Sequence, residues 1–234
     1  MEPRVVLITG AAGNLGQAVA RGFAAQGAVL ALTDADEPRL AALKESLALP
    51  AGRLRTYAAD LMQHAAAVAL GERVAAELGG VDVVINIAGG FRMGPVHETP
   101  VATFELMLDL NVRTVFNMAQ AVVPGMIRRG GGRIIHIASR AALQGGAGVG
   151  AYAAAKAAVL RLSESMAAEL REHRIHVNCV LPSIIDTPQN RQDMPEADFA
   201  SWVSSDSLAE VILFLASPAA RDITGAAIPV YGRC

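Results

Sequence analysis

Short β-branched runs recur along the chain, each closed by a small or polar residue and each followed by a stretch of helical length. Arg4 to Thr9, Ala28 to Thr33, Leu54 to Ala59, Val81 to Ile87, Arg133 to Ala138 and Ile175 to Leu181 obey this rule, and a last short run covers Ala226 to Val230. Continuous apolar strands separated by helices need cover on both faces, so the alternation predicts an α/β fold around a parallel sheet. Ligands of such sheets bind beyond the carboxyl ends of the strands, and the residues that close each run become the first candidates for a site.

The first closing segment is rich in glycine. Gly10, Gly13 and Gly16 separate the first run from the helical pattern Leu15, Val19, Phe23. Glycines permit a tight turn there, and they let a pyrophosphate approach the helix N-terminus, whose free N–H groups and dipole attract negative charge. The second run ends in Asp34. An acid at that point accepts hydrogen bonds from both ribose hydroxyls of NAD and repels a 2′-phosphate, so NAD is expected over NADP, although Arg39 leaves NADP possible. Asp34 has a second reading as the N-cap of the helix that begins near Glu37. The third run closes with Asp60-Leu61, and the fourth with Asn86-Ile87-Ala88-Gly89-Gly90, small enough to let a flat ligand lie against the backbone.

A second group of residues carries chemistry rather than binding. Tyr152 and Lys156 stand at i,i+4 on a predicted helix, where a phenol and an ammonium share one face. An unperturbed tyrosine, with a pKa of about 10, is idle at neutral pH, and a neighbouring cation is the expected means of making it exchange protons. Ser139 closes the fifth run and offers a hydroxyl at a strand end. Asn111 interrupts an apolar stretch of the long helical pattern from Pro100 to Arg129, where an amide must find hydrogen-bond partners.

Composition limits what else the chain can do. Its 234 residues, 53% hydrophobic with a net charge of −2, fit one domain with a large core over 1–234. Interspersed charges give neither a basic stripe for nucleic acid nor a basic amphipathic segment for a membrane, and no apolar run has the length of a span. Cys179 and Cys234 show no metal or disulfide spacing, His173 and His176 read as a helix end, and the expectation is a metal-free cytoplasmic protein. Residues 183–204 lack periodicity, mix Ile184, Ile185, Met194, Phe199 and Trp202 with acids, and read as a lid with an apolar underside.

Taken together, Thr9-Gly10-Ala11-Ala12-Gly13-Asn14-Leu15-Gly16, Asp60-Leu61, Asn86-Ile87-Ala88-Gly89, Asn111, Ser139 and Tyr152-Ala-Ala-Ala-Lys156 resemble the motif set of the short-chain dehydrogenase/reductase family. The resemblance implies a Rossmann-like, doubly wound sheet of about seven strands that binds NAD or NADP, and a dimer or tetramer. It implies that Ser139 steadies the substrate oxygen and Tyr152 moves its proton. Lys156 would hold the nicotinamide ribose and lower the Tyr152 pKa, and Asn111 would support a water relay. Gly10, Gly13, Asn14, Leu15, Gly16, Asp34, Asp60, Leu61, Asn86, Ala88, Gly89, Tyr152, Lys156, Pro182, Ile185 and Thr187 would meet the cofactor, with Asp60 facing adenine and Thr187 near the carboxamide. The implied reaction is hydride transfer between the nicotinamide and a secondary alcohol or ketone. An idle cofactor-sensing or scaffold protein, or an epimerase or dehydratase using the same Tyr and Lys, are the alternatives.

Three positions depart from the family's usual pattern. Asn14 stands where the middle glycine is usual, and its tolerance of positive φ is the expected reason that the loop survives. Ile87 replaces an asparagine, and Ser183 replaces the glycine after Pro182.

Overall fold

A computed structural model describes residues 4–234. In chain order it contains β1 (Val5–Thr9), α1 (Asn14–Ala25), β2 (Val29–Asp34), α2 (Glu37–Leu47), β3 (Leu54–Ala58), α3 (His64–Leu78), β4 (Val83–Asn86), α4 (Val101–Leu108) and α5 (Thr114–Arg129). There follow β5 (Gly132–Ile137), α6 (Gly150–Glu169), β6 (Ile175–Pro182), β7 (Ile185–Asp186), α7 (Pro188–Asp193), β8 (Val203–Ser204), α8 (Ser205–Ala216) and β9 (Ala227–Val230). Seven strands form one parallel sheet in the order β3-β2-β1-β4-β5-β6-β9. The doubly wound architecture expected from the alternation is therefore present.

Burial explains why the central runs are unbroken by polar residues. All five residues of β1 are buried, because α1, α2 and α8 pack on one face and α3, α5 and α6 on the other. Phe23, 2% exposed, anchors the first layer. A phenylalanine so enclosed contributes on the order of 3–5 kcal/mol relative to alanine. The second layer is filled by Met118, Val122 and Met126 of α5 against Val84 and Ile134.

Strand order reverses where β1 meets β4, and that reversal positions the site. Thr9 pairs with Asn86, and Asn86 with His136, so the ends of β1, β4 and β5 lie side by side and their loops part above them.

Two local structures differ from the sequence reading. The long pattern from Pro100 to Arg129 is not one α-helix: a π-helical turn over Asp109–Arg113 separates α4 from α5. The segment after β6 is more ordered than its aperiodic sequence indicates. β7 pairs with β8, α7 lies between them with Thr187 as its N-cap, and Arg191 forms a two-pronged bond to Asp186 at 2.6 and 2.7 Å. Trp202, expected on an apolar underside, is buried at 8% exposure and tilted against Phe199.

Candidate active site

The glycine turn at the end of β1 is built by contact. Gly10 has φ 61°, and a Cβ on it would lie 2.8 Å from the Ala88 nitrogen, so only glycine lets the loops after β1 and β4 touch. The Thr9 hydroxyl binds the same neighbour, accepting from the backbone N–H of both Ile87 and Ala88 at 3.1 Å. Gly16 has another duty: a Cβ there would be 2.2 Å from the Gly10 carbonyl oxygen, so it packs α1 onto the loop rather than facing the cavity. Asn14 does not use positive φ. It is the first residue of α1, and the only non-glycine residues with positive φ among those described are Ala48 and Arg174. The departure at Asn14 is tolerated because the loop makes its left-handed turn at Gly10. The N-terminus of α1 carries no side-chain cap, which leaves its first N–H groups for a ligand.

A cavity of about 420 Å³ opens over this turn. Among its lining residues are Gly10, Gly13, Asn14, Leu15, Asp34, Asp60, Leu61, Ala88, Gly89, Ile185 and Thr187, all candidates from sequence, together with Arg39. Asp34 stands at the end of β2, with one carboxylate oxygen accepting from the Ala12 N–H at 3.0 Å and the other from the Asp36 N–H at 3.1 Å. The cap of α2 is Asp36, which accepts from the Arg39 N–H, so the second reading of Asp34 fails. Arg39 is tethered at the same place, its guanidinium donating to the Ala12 carbonyl at 2.9 Å. Asn86 and Pro182 do not line this cavity. Asn86 is buried, with its amide 3.0 Å from Nδ1 of His136, and Pro182 is the last residue of β6.

At the inner end of the crevice the other candidates gather. The π-helical turn presents Asn111, 1% exposed, to the end of β4; its amide donates to the carbonyls of Gly90 at 3.0 Å and Met107 at 2.9 Å. Such a turn inserts a residue and re-aims a side chain, a common device at functional sites. Gly89 has no room for a side chain, since a Cβ would meet Asn111 Oδ1 at 2.6 Å and Lys156 Nζ at 3.5 Å. Lys156 lies on the inner face of α6, 6% exposed, and donates to the Ile137 carbonyl at 2.9 Å. Ser139 caps a short 3₁₀ turn after β5, its hydroxyl accepting from the Ala141 N–H at 3.2 Å.

Electrostatics here differ in one respect from expectation. Burial pushes the Tyr152 phenol above its ordinary 10.0, and the neighbouring Ser139 hydroxyl works against that rise. Lys156, with Nζ 5.7 Å from the centre of the Tyr152 ring, is not among the groups that lower it. Burial instead brings the Lys156 ammonium down to about 8, with Cys179 opposing. Burial and the adjacent Lys156 charge hold His136 down at about 3, so that imidazole is neutral at every working pH. The sequence reading overlooked His136 and also the contact of Phe91, whose ring stands edge-on to Tyr152 at 4.9 Å and 87°.

Among the described residues, no three His, Cys, Asp or Glu side chains are grouped to hold a metal ion, and no helix is long and apolar enough to cross a membrane. A phenol, with a buried lysine one turn along the same helix, stands beside a glycine-floored crevice at a sheet reversal. The family profile described as short chain dehydrogenase matches residues 4–198. The chain belongs to that family.

This short-chain dehydrogenase resembles relatives named for different substrates. It is 33% identical to D-threitol dehydrogenase of Mycolicibacterium smegmatis, over 99% of this chain and 93% of that protein. It is likewise 33% identical to the 3-oxoacyl-(acyl-carrier-protein) reductase of Thermotoga maritima, over 99% of this chain and 98% of the relative. Among solved structures, NAD+-bound xylitol dehydrogenase superposes with a TM-score of 0.90 at 26% identity, covering 98% of each chain.

Proposed function

We propose that this short-chain dehydrogenase is an NAD-dependent oxidoreductase that interconverts a secondary alcohol and a ketone, with Tyr152 moving the proton. The observation that carries the reading is the placement of Tyr152 one helical turn from buried Lys156, whose Nζ is 5.7 Å from the centre of the phenol ring and 3.5 Å from where a Cβ on Gly89 would stand. NAD, when bound, supplies the hydride acceptor. Its pyrophosphate fits the uncapped N-terminus of α1 over Gly10 and Gly13, and its adenosine ribose fits Asp34. Each Asp34 oxygen keeps lone pairs beyond the one it gives to the backbone, so it can accept from both ribose hydroxyls. A 2′-phosphate would meet that carboxylate, which favours NAD over NADP; Arg39 is turned onto the Ala12 carbonyl.

In alcohol oxidation the substrate oxygen sits between Ser139, which orients it, and Tyr152, which accepts its proton. Lys156 holds the ribose and places a positive charge behind the phenol. Asn111 fixes the turn beside Gly89 and Gly90 and would support a relay of water molecules there. Asp60, Leu61, Ala88, Gly89, Ile185 and Thr187 border the cofactor, and residues 183–204 cover the substrate. The two unpaired cysteines fit a reducing compartment, and we place the enzyme in the cytoplasm.

The test is turnover of NAD+ with a panel of secondary alcohols by wild type and by Tyr152→Phe. The variant should lose roughly 10²- to 10⁴-fold in kcat, as expected when a proton-transferring group is removed, while still binding NADH. Turnover close to wild type would remove Tyr152 from the role.

A further inference from the structure

We infer that Phe91, with Met93 and Leu143, forms an apolar wall beside Tyr152 that selects secondary alcohols bearing an aromatic or branched hydrocarbon group, and rejects polyols. This rests on the dehydrogenase reading and names the substrate class of its site. Most large apolar side chains of the protein are enclosed, yet Phe91, Met93 and Leu143 are 47%, 67% and 56% exposed. Phe91 and Met93 lie against α6 and the segment that leads into it. Gly90, just before Phe91, lies close to the Leu110 side chain, which a Cβ on it would meet at 2.7 Å. In the loop that starts at Phe91, the Gly94 N–H donates to the Gly148 carbonyl at 2.8 Å, so the loop is fastened to the segment that leads into α6. Met93 reaches that segment too, since a Cβ on Gly148 would be 3.5 Å from its methyl carbon. Leu143 closes the short turn that starts at Ser139.

Three polar side chains of the surrounding loops have contacts of their own. Arg92 donates to the Phe91 carbonyl at 2.7 Å, and Arg140 lies over the Tyr231 ring at 5.8 Å. The Ser183 hydroxyl donates to the Tyr231 carbonyl at 2.7 Å. A hydrocarbon group brought here would cover exposed apolar surface, whereas a polyol would surrender water from its hydroxyl groups against the faces of Phe91, Met93 and Leu143. Phe91 has a second effect through its edge contact, because it shields the Tyr152 ring from water. It is a positioning and specificity residue; the proton moves at Tyr152.

The experiment compares NAD+-dependent oxidation of 1-phenylethanol and xylitol by wild type, Phe91→Ala and Phe91→Leu, with a pH profile for each. Wild type should favour 1-phenylethanol in kcat/KM by on the order of 30- to 100-fold, the effect of covering one ring face. Phe91→Ala should lose most of that preference through KM and move the rise of oxidation with pH to lower pH, because a wetter phenol ionises more readily. Phe91→Leu should restore the preference. A wild type that favours xylitol overturns the inference while leaving the dehydrogenase reading intact; failure to oxidise any secondary alcohol overturns both. Unchanged kinetics in Phe91→Ala, with a fall in mass by light scattering, would assign the wall to a second copy of the chain and overturn the inference.

Discussion

Lys156 shows how a single catalytic side chain is set against the stability of the fold. Its folded pKa of about 8 lies below the ordinary 10.5. Below pH 8 folded and unfolded chains are both protonated, and the fold bears the whole cost of enclosing an ammonium, roughly 3 kcal/mol. Between pH 8 and 10.5 the unfolded chain holds more protons, so stability rises with pH in that window. Lys156→Met should therefore unfold in urea at higher concentration than wild type at pH 7, by about 1–3 kcal/mol once the bond to the Ile137 carbonyl is discounted, with the gap closing toward pH 10.5. It should also be inactive. Tyr152 gives the complementary expectation for activity. Its phenol is raised, so alcohol oxidation, which needs the phenolate, should fall as pH drops, and ketone reduction, which needs the phenol, should fall only at alkaline pH; steady-state profiles in both directions check this. The sequence made Tyr152, Lys156 and Ser139 legible as residues but not the balance among them. An i,i+4 spacing states that two groups share a face, whereas their burial and their contacts with Phe91 and the Ile137 carbonyl depend on residues remote in sequence.

Among elements, strands were readable because a sheet buried on two faces demands unbroken apolar runs, and the ends of β1 to β6 follow the sequence reading to within a residue or two. The π-helical turn around Asn111 was not, since its residues are compatible with an ordinary helix and only the tie to Gly90 selects the wider turn. Asn86, a cofactor contact by resemblance to the family, turns its side chain inward to His136, a pairing across neighbouring strands that the sequence does not display. The two acids at the start of α2 separate by the same logic. Asp36→Ala removes a cap and should lower stability by about 1 kcal/mol, measured by thermal melting, without altering cofactor choice. Asp34→Ala removes the charge at which we propose the ribose binds and should improve NADPH binding relative to NADH by about tenfold or more, measured by fluorescence titration.

At the scale of the molecule, an apolar surface remains where Val101, Phe104 and Phe116 of α4 and α5 are 72%, 42% and 48% exposed. Apolar clusters of this kind are covered by partner subunits, and a dimer or tetramer is the assembly we expect. Light scattering should give a multiple of the 24.3 kDa chain, and Phe116→Glu should shift it toward the monomer. The joint between the loops after β1 and β4 has a different bearing. One hydroxyl, on Thr9, ties down the second loop, and one absent methyl group, on Gly10, admits it. A chimera that borrowed either loop alone from a cousin would thus have to reproduce the seam as well as the segment, and swapping cofactor preference or substrate range by transplant requires both flanks to move as a single cassette.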